Sequence, residues 1–447
     1  MNREATLREA GLWKRGVLWL LLLAPLFFAS YGFANWLTAQ RADIGSLVFA
    51  WESRIPLWPW SIVPYWSIDL LYGLSFLLPA SRREMDRHAL RLLSAQLICI
   101  VGFLLWPLRF SFERPALEGL FGWLFDLLMG FDKPFNQAPS LHITLLVVLW
   151  VCFARYAKGL WRGLLHGWFL LIGLSVLTTW QHHFIDVPTG VLVGWLCVWL
   201  WPQQGRSPLR QMRLARDARR WRLALGYALA AGLCLVPAIT LGGAWLWLAW
   251  PALSLLLVAL NYALFGAEGF QKQSDGRLSL AASWLLAPYL VMAWLNSRLW
   301  THRHPPADPV GEGVWLGRLP GSGEAARFAA LVDLCAELPT RTTGQAYRSV
   351  PVLDLTPPSA HACLQAAQSI EELRHRGPLL VCCALGYSRS ATATAAWLLH
   401  HGHCRDVPAA LARIRQARPQ VVLGAAQQQA LQAMLQLNGS DPAGPPA

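Results

Sequence analysis

The sequence has few charged residues for its length. Of its 447 residues, 14% are charged and only 25 are aspartate or glutamate, whereas a typical globular chain has about 25% charged residues. This shortage excludes an ordinary soluble protein. Of the nine cysteines, four lie in apolar segments and are expected to be packing residues. The five in the tail lack the spacing of a zinc site or of a disulfide framework. We predict no metal and no cofactor.

Hydrophobic residues are abundant instead. They make up 55% of the chain, which also contains 25 tryptophans. Several stretches run for about 20 residues with few charges, the length that a helix needs to cross a bilayer. We predict a polytopic membrane protein. The predicted spans lie near 17–38, 60–79, 89–107, 141–155, 160–178, 184–201, 223–241, 244–265 and 279–297.

The excess of positive charge, +13 in total, predicts how the chain is oriented. Basic residues are concentrated before the first span and in the loops 81–91, 155–162 and 205–222. Positively charged loops stay in the cytoplasm, so we expect a cytoplasmic N-terminus. The first span, 17–38, lacks a clear cleavage site and is predicted to be a signal anchor. The arginine-rich loop is expected to contact anionic lipids, and we predict no nucleic-acid partner.

The composition changes near residue 300. The segment 301–315 is polar and proline-rich, which is typical of a linker. Beyond it, short β-like runs such as "PLLVCC" alternate with helical stretches, predicted at 323–337, 359–376, 407–417 and 424–436. We predict a helical membrane domain, with a six-helix core and about three further spans, followed by a soluble α/β domain. The expected ranges are 1–222, 223–300 and 301–447.

The segment 379–391, "LLVCCALGYSRSA", predicts an anion-binding loop. A buried strand leads into a turn, and a helix rich in alanine and leucine follows until Gly402. The helix N-terminus presents backbone N–H groups and partial positive charge to a phosphate-sized anion. The residues expected to offer those N–H groups are Ala384, Leu385, Gly386, Tyr387 and Ser388.

The same loop contains residues suited to nucleophilic catalysis. Cys383 stands at its mouth, where positive charge favours the reactive thiolate form. Arg389 can donate two hydrogen bonds to phosphate oxygens, and Gly386 permits the conformation of the turn. Ser390 is placed to give a hydroxyl to the sulfur when it leaves.

The spacing from Cys383 to Arg389, with serine after the arginine, resembles the signature of the dual-specificity and tyrosine phosphatases. The resemblance covers about 130 residues and implies a cysteinyl-phosphate intermediate. It also implies that Asp354 is the general acid for the leaving oxygen. Cys382 replaces the histidine that this family usually has before the nucleophile. Asp333 and Glu337 are expected to be solvated or structural.

A second group of candidate residues lies in the membrane half, in "NQAPSLH" (136–142) and "SVLTTWQHHFIDVPTG" (175–190). The topology puts both segments at the non-cytoplasmic surface. His182 and Asp186 share a helix face, and a carboxylate on one imidazole nitrogen makes the other a better nucleophile. His142 could protonate a leaving group. Arg114 is the first candidate for a phosphate clamp, and Arg109 and Lys133, in the loop on the same side, are the other candidates.

These segments resemble the type 2 phosphatidic acid phosphatase superfamily. Its proline-serine-glycine-histidine motif corresponds to 139–142, with leucine in place of glycine, and its other motifs end at Arg114-Pro115 and at Asp186. Two basic positions of that pattern are occupied by Pro107 and Val176. "PSLH" and "QHHFID" look more like the branch of inositol phosphorylceramide and sphingomyelin synthases, which implies transfer to an alcohol as an alternative to hydrolysis.

We therefore expect a bifunctional membrane phosphatase in contact with membrane lipids. The membrane site would act on a phosphorylated lipid or isoprenoid, and the tail on a phosphoprotein or a phosphoinositide-like headgroup. A membrane-anchored sensor that binds a phosphorylated ligand without catalysis and a lipid transporter are the alternatives. Alanine, arginine and tryptophan bias indicates a bacterial inner membrane. Nine spans would put the tail outside, whereas its thiol chemistry favours the cytoplasm.

Overall fold

The structure is a computed structural model that describes residues 8–439. The chain divides into two compact units, and the division falls between Ser207 and Pro208. The second unit contains the helices that follow residue 217 as well as the C-terminal α/β part. The three domain ranges given above remain predictions.

The first unit is helical. Serine side chains begin two of its helices, because Ser81 accepts a hydrogen bond from the Glu84 N–H and Ser140 accepts one from the Ile143 N–H. Short 3₁₀ turns lie at Glu52–Arg54 and Pro59–Ser61. The helices are α1 (Leu12–Ala39), α2 (Ile62–Ser75), α3 (Arg82–Leu105), α4 (Gly119–Phe131), α5 (Leu141–Ala154), α6 (Gly159–Thr178) and α7 (Asp186–Leu200).

The second unit begins with helices and ends in a mixed α/β region. A continuous helical segment from Gly243 to Phe270 changes from 3₁₀ to α to π and back to 3₁₀ geometry. Its α-helical part is Ala249–Leu260. The helices are α8 (Pro208–Gln211), α9 (Ala218–Leu241), α10 (Ala249–Leu260), α11 (Leu280–Leu285), α12 (Ala287–Thr301), α13 (Ser322–Ala325), α14 (Ala360–Arg374), α15 (Arg389–His400), α16 (Val407–Ala417) and α17 (Ala425–Gly439). The strands are β1 (Ala307–Gly311), β2 (Val314–Arg318), β3 (Ala330–Cys335), β4 (Ala346–Val352) and β5 (Leu379–Cys383).

A helix lies at each of the nine predicted spans. Within residues 8–439, five helices are long and apolar enough to cross a membrane: Leu12–Ala39, Arg82–Leu105, Gly159–Thr178, Ala218–Leu241 and Gly243–Phe270. The helices at three other predicted spans, α2, α5 and α7, have 14 or 15 residues, and the last predicted span is broken between α11 and α12. The prediction of a multi-pass helical membrane part followed by an α/β part is confirmed.

The α/β part is built on a five-stranded sheet. Its strand order is β1-β2-β5-β3-β4; only β1 and β2 pair antiparallel, and the other neighbours are parallel. The central strand β5 pairs with β2 on one side and β3 on the other, so that Cys382 lies opposite Gly317 and Asp333. The carboxyl end of β5, where the predicted catalytic loop begins, is therefore at the middle of the sheet.

Two local predictions for this region were wrong. The segment 301–315 is not only a linker, because α12 continues to Thr301 and β1 occupies 307–311. Pro309 is compatible with this strand because β1 lies at an edge of the sheet, where a missing N–H is tolerated. The predicted helix 323–337 is helical only in α13, and it continues as β3, every residue of which is buried. A fully buried strand has no alternating polar face and was mistaken for a helix.

The central strand is buried on both faces. Leu379, Val381 and Cys383 belong to one hydrophobic cluster, and Leu380 and Cys382 belong to another. Since successive side chains of a strand point to opposite faces, the adjacent cysteines lie on opposite sides of the sheet. Cys382 is a core residue, and burial raises the pKa of its thiol.

A buried ion pair joins the end of the Gly243–Phe270 segment to the sheet. The Lys272 ammonium, 1% exposed, donates to Asp333 at 2.5 Å and to the carbonyl oxygens of Cys335 and Leu338 at 2.6 and 2.8 Å. Burial alone would lower the pKa of Lys272, but the charge of Asp333 outweighs it and raises that pKa. Asp333, expected to be solvated or structural, has a structural role.

We predict that Lys272→Met destabilises the second unit. Removal of one partner leaves the Asp333 carboxylate buried without its cation, at a cost of about 3–5 kcal/mol. The melting temperature of the detergent-solubilised chain should fall by several degrees. Arg277→Met is the control, because it breaks only an exposed pair with Asp275 and should leave the melting temperature unchanged. Equal melting temperatures for the two variants would contradict the prediction.

Candidate active sites

The loop between β5 and α15 surrounds the sulfur of Cys383. The sulfur accepts hydrogen bonds from the Gly386 N–H at 3.3 Å and the Ser390 hydroxyl at 3.2 Å. It lies at the N-terminus of α15, where the helix dipole adds positive potential. These donors and the dipole stabilise negative charge on the sulfur.

Gly386 is needed in this loop for two reasons. Its φ of 75° lies in the left-handed region. A Cβ atom there would lie 2.5 Å from the Gly317 carbonyl oxygen and 2.6 Å from the Arg318 nitrogen. The loop therefore packs directly on the end of β2, and a side chain at residue 386 would displace it.

Arg389 is buried in a network of acceptors. Its guanidinium pairs with both Glu337 carboxylate oxygens at 2.7 and 2.8 Å, with the Asp354 carboxylate at 2.9 Å and with the Val352 carbonyl oxygen at 2.8 Å. Burial would raise the pKa of Glu337, but the charge and hydrogen bonds of Arg389 lower it. Glu337 is thus an ionised, buried group that fixes the arginine, a more specific role than the solvated or structural one expected.

Asp354 lies just after β4, at the edge of the same site. Its side chain is half-buried, and its carbonyl oxygen accepts a hydrogen bond from the Tyr262 hydroxyl at 3.0 Å. Burial raises the pKa of Asp354, and the nearby charge of Arg389 only partly opposes this shift. A carboxyl group with a raised pKa is suited to donate a proton.

The carbonyl and hydroxyl groups of the loop are held by donors from outside it. This arrangement fixes the loop in one conformation and engages its acceptors away from the sulfur. The bonds are Ser297 Oγ to Ala384 O (2.6 Å), Arg418 Nε to Gly386 O (3.0 Å), Val422 N to Tyr387 O (2.8 Å) and Gln427 Nε2 to Ser388 Oγ (3.1 Å). Arg418, which no sequence motif marked as part of the site, is fully buried and also pairs with Asp308 at 2.6 Å.

The first unit brings the two membrane motifs together. His182 Nδ1 lies 3.1 Å from Asp186 Oδ2, and His182 Nε2 lies 3.2 Å from the Ser140 hydroxyl. The Ser140 N–H also donates to the Asp186 carbonyl oxygen at 3.2 Å. The carboxylate therefore occupies one imidazole nitrogen, and the other faces the motif at the start of α5.

His142 lies in the first turn of α5, next to this pair. Its ring stacks on the Tyr65 ring with centroids 4.1 Å apart. Its Nε2 atom is buried and has no hydrogen-bond partner among the described residues. This nitrogen is therefore available to a ligand or a water molecule.

The candidate clamps differ in position. Arg114 is half-buried and donates to the carbonyl oxygens of Thr179 and Trp180 at 3.2 and 2.9 Å, which holds the loop that precedes His182. Arg109 and Lys133, the other basic residues of that loop region, are exposed. The structure therefore brings Arg114 to the site and leaves the other two at the surface.

Two carboxylates near this site were missed, the buried Glu52 and the half-buried Asp132. Glu52 accepts from His183 Nδ1 at 3.0 Å and from the N–H groups of Phe49 and Phe184; these bonds outweigh burial and lower its pKa. Asp132 accepts from the Tyr31 hydroxyl at 2.7 Å. Neither residue lies in a motif. The side chains that pair with them, His183 and Tyr31, are more than 100 positions away, so no local signal marked them.

Comparisons with known proteins match one family to each of the two parts of the chain that contain a candidate site. Residues 99–208 match the family model of the PAP2 superfamily, and residues 317–436 match that of the dual specificity phosphatase catalytic domain. We found no match to the chain among curated proteins.

Solved structures similar to the C-terminal part include phosphatases. Tk-PTP in the active form is 29% identical, covers 30% of this chain and is itself covered to 97%, with a TM-score of 0.28. Human DUSP28 is 22% identical (31% and 97% covered, TM-score 0.28), and PTPMT1 in complex with PI(5)P is 17% identical (31% and 100%, TM-score 0.29). The assignment rests on the family models and not on these likenesses.

The two family models, matched by a multi-pass helical part and an α/β part, define a membrane-bound phosphatase. The chain is a fusion of a PAP2 superfamily domain with a C-terminal dual-specificity phosphatase domain. Both domains support the assignment of the chain as a phosphoric monoester hydrolase.

We predict that Gly386→Ala weakens oxyanion binding at the cysteine site. An alanine is strained in the left-handed conformation of residue 386, and its methyl group collides with the end of β2. Vanadate affinity should therefore fall at least ~tenfold. Titration calorimetry of the solubilised full chain with a His182→Ala substitution measures this site without the membrane site.

Gly402→Ala is the matched control. Gly402 has a similar φ of 73°, but a Cβ there meets nothing within 4 Å. It should cost about 1–2 kcal/mol of stability and leave vanadate affinity unchanged. If both alanine variants bind vanadate as the parent does, the close packing of the loop on β2 is unimportant.

Proposed function

We propose that this protein is a bifunctional membrane phosphatase. The dual-specificity domain would hydrolyse phosphomonoesters through Cys383. The PAP2 domain would use His182 to remove or transfer a phosphate group from a lipid or isoprenoid at the non-cytoplasmic surface.

One observation carries the first half of the proposal. The sulfur of Cys383, at a helix N-terminus, accepts hydrogen bonds from the Gly386 N–H and the Ser390 hydroxyl. Arg389, six residues after the cysteine, reaches Asp354, the predicted acid. The proximity of the proposed nucleophile, its loop and the proposed proton donor supports the proposal.

The cysteine reaction would occur in two steps. The thiolate attacks phosphorus, the P–O ester bond breaks, and Asp354 gives its proton to the leaving oxygen. Water then attacks phosphorus, the P–S bond breaks, and Asp354 takes a proton from that water as inorganic phosphate leaves. The Ser390 hydroxyl stabilises the departing thiolate.

Arg389 would contribute positive charge to both transition states. The loop N–H groups of residues 384–388 would bind the phosphate oxygens with it. Because Glu337 already holds two of its donor positions, the arginine is oriented before a substrate arrives.

The membrane reaction would use the imidazole pair. With Asp186 on Nδ1, the Nε2 atom of His182 attacks phosphorus, the P–O bond to the leaving group breaks, and protonated His142 gives its proton to the leaving oxygen. Water or an alcohol then attacks phosphorus, the P–N bond breaks, and His142 takes the proton of the attacking hydroxyl. Arg114 would supply positive charge near the loop, although two of its donors already hold backbone carbonyl groups.

The orientation of the protein is part of the proposal. The basic loops favour a cytoplasmic N-terminus in a bacterial inner membrane. This orientation would put His142 and His182 at the non-cytoplasmic surface.

We predict that the two activities separate by mutation. Cys383→Ser should abolish phosphocysteine formation and keep the His182-dependent reaction, whereas His182→Ala should do the reverse. Rapid quench of the full chain with labelled substrate, followed by mass spectrometry, locates the phosphoenzyme. Retention of turnover by the double variant would disprove the assignment of at least one nucleophile. A labelled phosphate ester of an added alcohol, in place of labelled inorganic phosphate, would identify transfer at the membrane site.

We also predict a pH effect at the cysteine site. Asp354 must be protonated to act, and burial raises its pKa, so activity persists to higher pH before it declines. Asp354→Asn should remove this alkaline decline from the profile of kcat/KM and lower kcat/KM for alkyl phosphates by about 10²–10⁴. An aryl phosphate with an acidic phenol needs little protonation and serves as the control substrate. An unchanged alkaline limb would exclude Asp354 as the acid.

A further inference from the structure

A cavity of about 490 Å³ extends from the cysteine site of the second unit to the apolar helices before it. At one end it is lined by Ala384 and Leu385 of the catalytic loop and by Asp354 and Glu337. The reacting groups therefore lie at an opening that the catalytic domain does not form alone.

The rest of the cavity is mostly apolar, with Asn296 of α12 as a polar exception. Pro251 and Leu255 line it from α10, and Met292 and Ala293 line it from α12. The Met292 side chain is 64% exposed. A phosphate bound in the loop would thus have a hydrophobic surface on its leaving-group side.

Two of the contributing segments are candidate membrane spans. Tyr227 and Cys234 line the cavity from α9, within the span Ala218–Leu241, and α10 belongs to the span Gly243–Phe270. The outward residues of these segments are large and apolar; Leu229, Leu233 and Leu256 are among those exposed. The apolar end of the cavity is therefore walled by helices that can lie in lipid.

The helices also hold the catalytic loop and the acid directly. The Ser297 hydroxyl of α12 donates to the Ala384 carbonyl oxygen at 2.6 Å, and the Tyr262 hydroxyl donates to the Asp354 carbonyl oxygen at 3.0 Å. These bonds and the Lys272–Asp333 ion pair fix the helices at the edge of the site. The apolar wall is therefore joined to the site by hydrogen bonds and an ion pair.

This wall distinguishes two kinds of substrate. Transfer of a hydrocarbon chain from water to an apolar cavity is favourable. A peptide would have to bury backbone N–H and C=O groups against the same surface without partners, which is costly. The observations favour a lipid over a phosphoprotein.

We propose that the Cys383 site acts on a phosphomonoester carried by a membrane lipid, whose hydrocarbon chain occupies the cavity between α9, α10 and α12. This inference rests on the proposed function of Cys383. The thiolate takes the phosphoryl group, the P–O bond to the lipid breaks, and the lipid alcohol leaves with the proton of Asp354.

A chain-length series tests the proposal. The full chain with His182→Ala is reconstituted in nanodiscs and given butyl, hexyl and octyl phosphate, a long-chain lipid phosphate and a phosphotyrosine peptide. From butyl to octyl phosphate, Cys383-dependent kcat/KM should rise at least ~tenfold, because each methylene that enters the cavity adds affinity.

Variants of the cavity distinguish binding of the chain in the cavity from partitioning of the substrate into the bilayer. Partitioning is the same for every variant. Ala293→Trp fills the cavity from α12, and Leu255→Trp fills it from α10; both should lose the rise with chain length. Leu299→Trp is the matched control, because residue 299 lies on α12 but is 70% exposed and outside the cavity. It should keep the rise.

The outcomes distinguish the two levels of the proposal. A flat chain-length series, a rise that persists in both filled variants, or a phosphopeptide preferred to every lipid substrate overturns the lipid assignment while the cysteine phosphatase stands. Absence of any Cys383-dependent turnover overturns the proposed function itself.

Discussion

A guanidinium group buried from solvent organises the cysteine site. Arg389 is 3% exposed, so its charge must be compensated by the protein. Glu337, from the end of β3, and Asp354, from the end of β4, provide that compensation. The arginine therefore ties the start of α15 to two strands, and the loop around Cys383 takes its shape between these fixed points. Removal of either carboxylate would change the position of the cation and the proton affinity of the remaining acid together.

Much of the fold follows from local sequence. Long apolar runs located the helices of the membrane part, and the strand-turn-helix pattern at 379–400 located β5 and α15. The failures have a common cause. The strand β3 lacks the alternation of apolar and polar residues because both of its faces are covered. The strand β1 can contain Pro309 because only β2 pairs with it. In both cases the decisive fact is a neighbour in the sheet, which a local window of sequence does not contain.

The candidate sites divide in the same way. Cys383, Gly386, Arg389 and Ser390 are close in sequence, so their spacing alone predicted an anion-binding loop. Partners from distant segments left no such trace. Glu337 is 52 residues from Arg389, and Lys272 is 61 residues from Asp333. Glu52, which holds His183 from a loop before α2, is 131 residues away. A buried charge needs a partner, but the sequence does not say which one.

The alternation of side chains along β5 has a consequence for redox chemistry. A disulfide between Cys382 and Cys383 would require both sulfur atoms to turn to one side of the sheet, and the central strand would lose its pairing with β2 or β3. The nucleophile is thus shielded sterically from capture by its neighbour in the chain. An oxidising environment would threaten this enzyme through peroxide or a foreign thiol, and much less through its own adjacent cysteine.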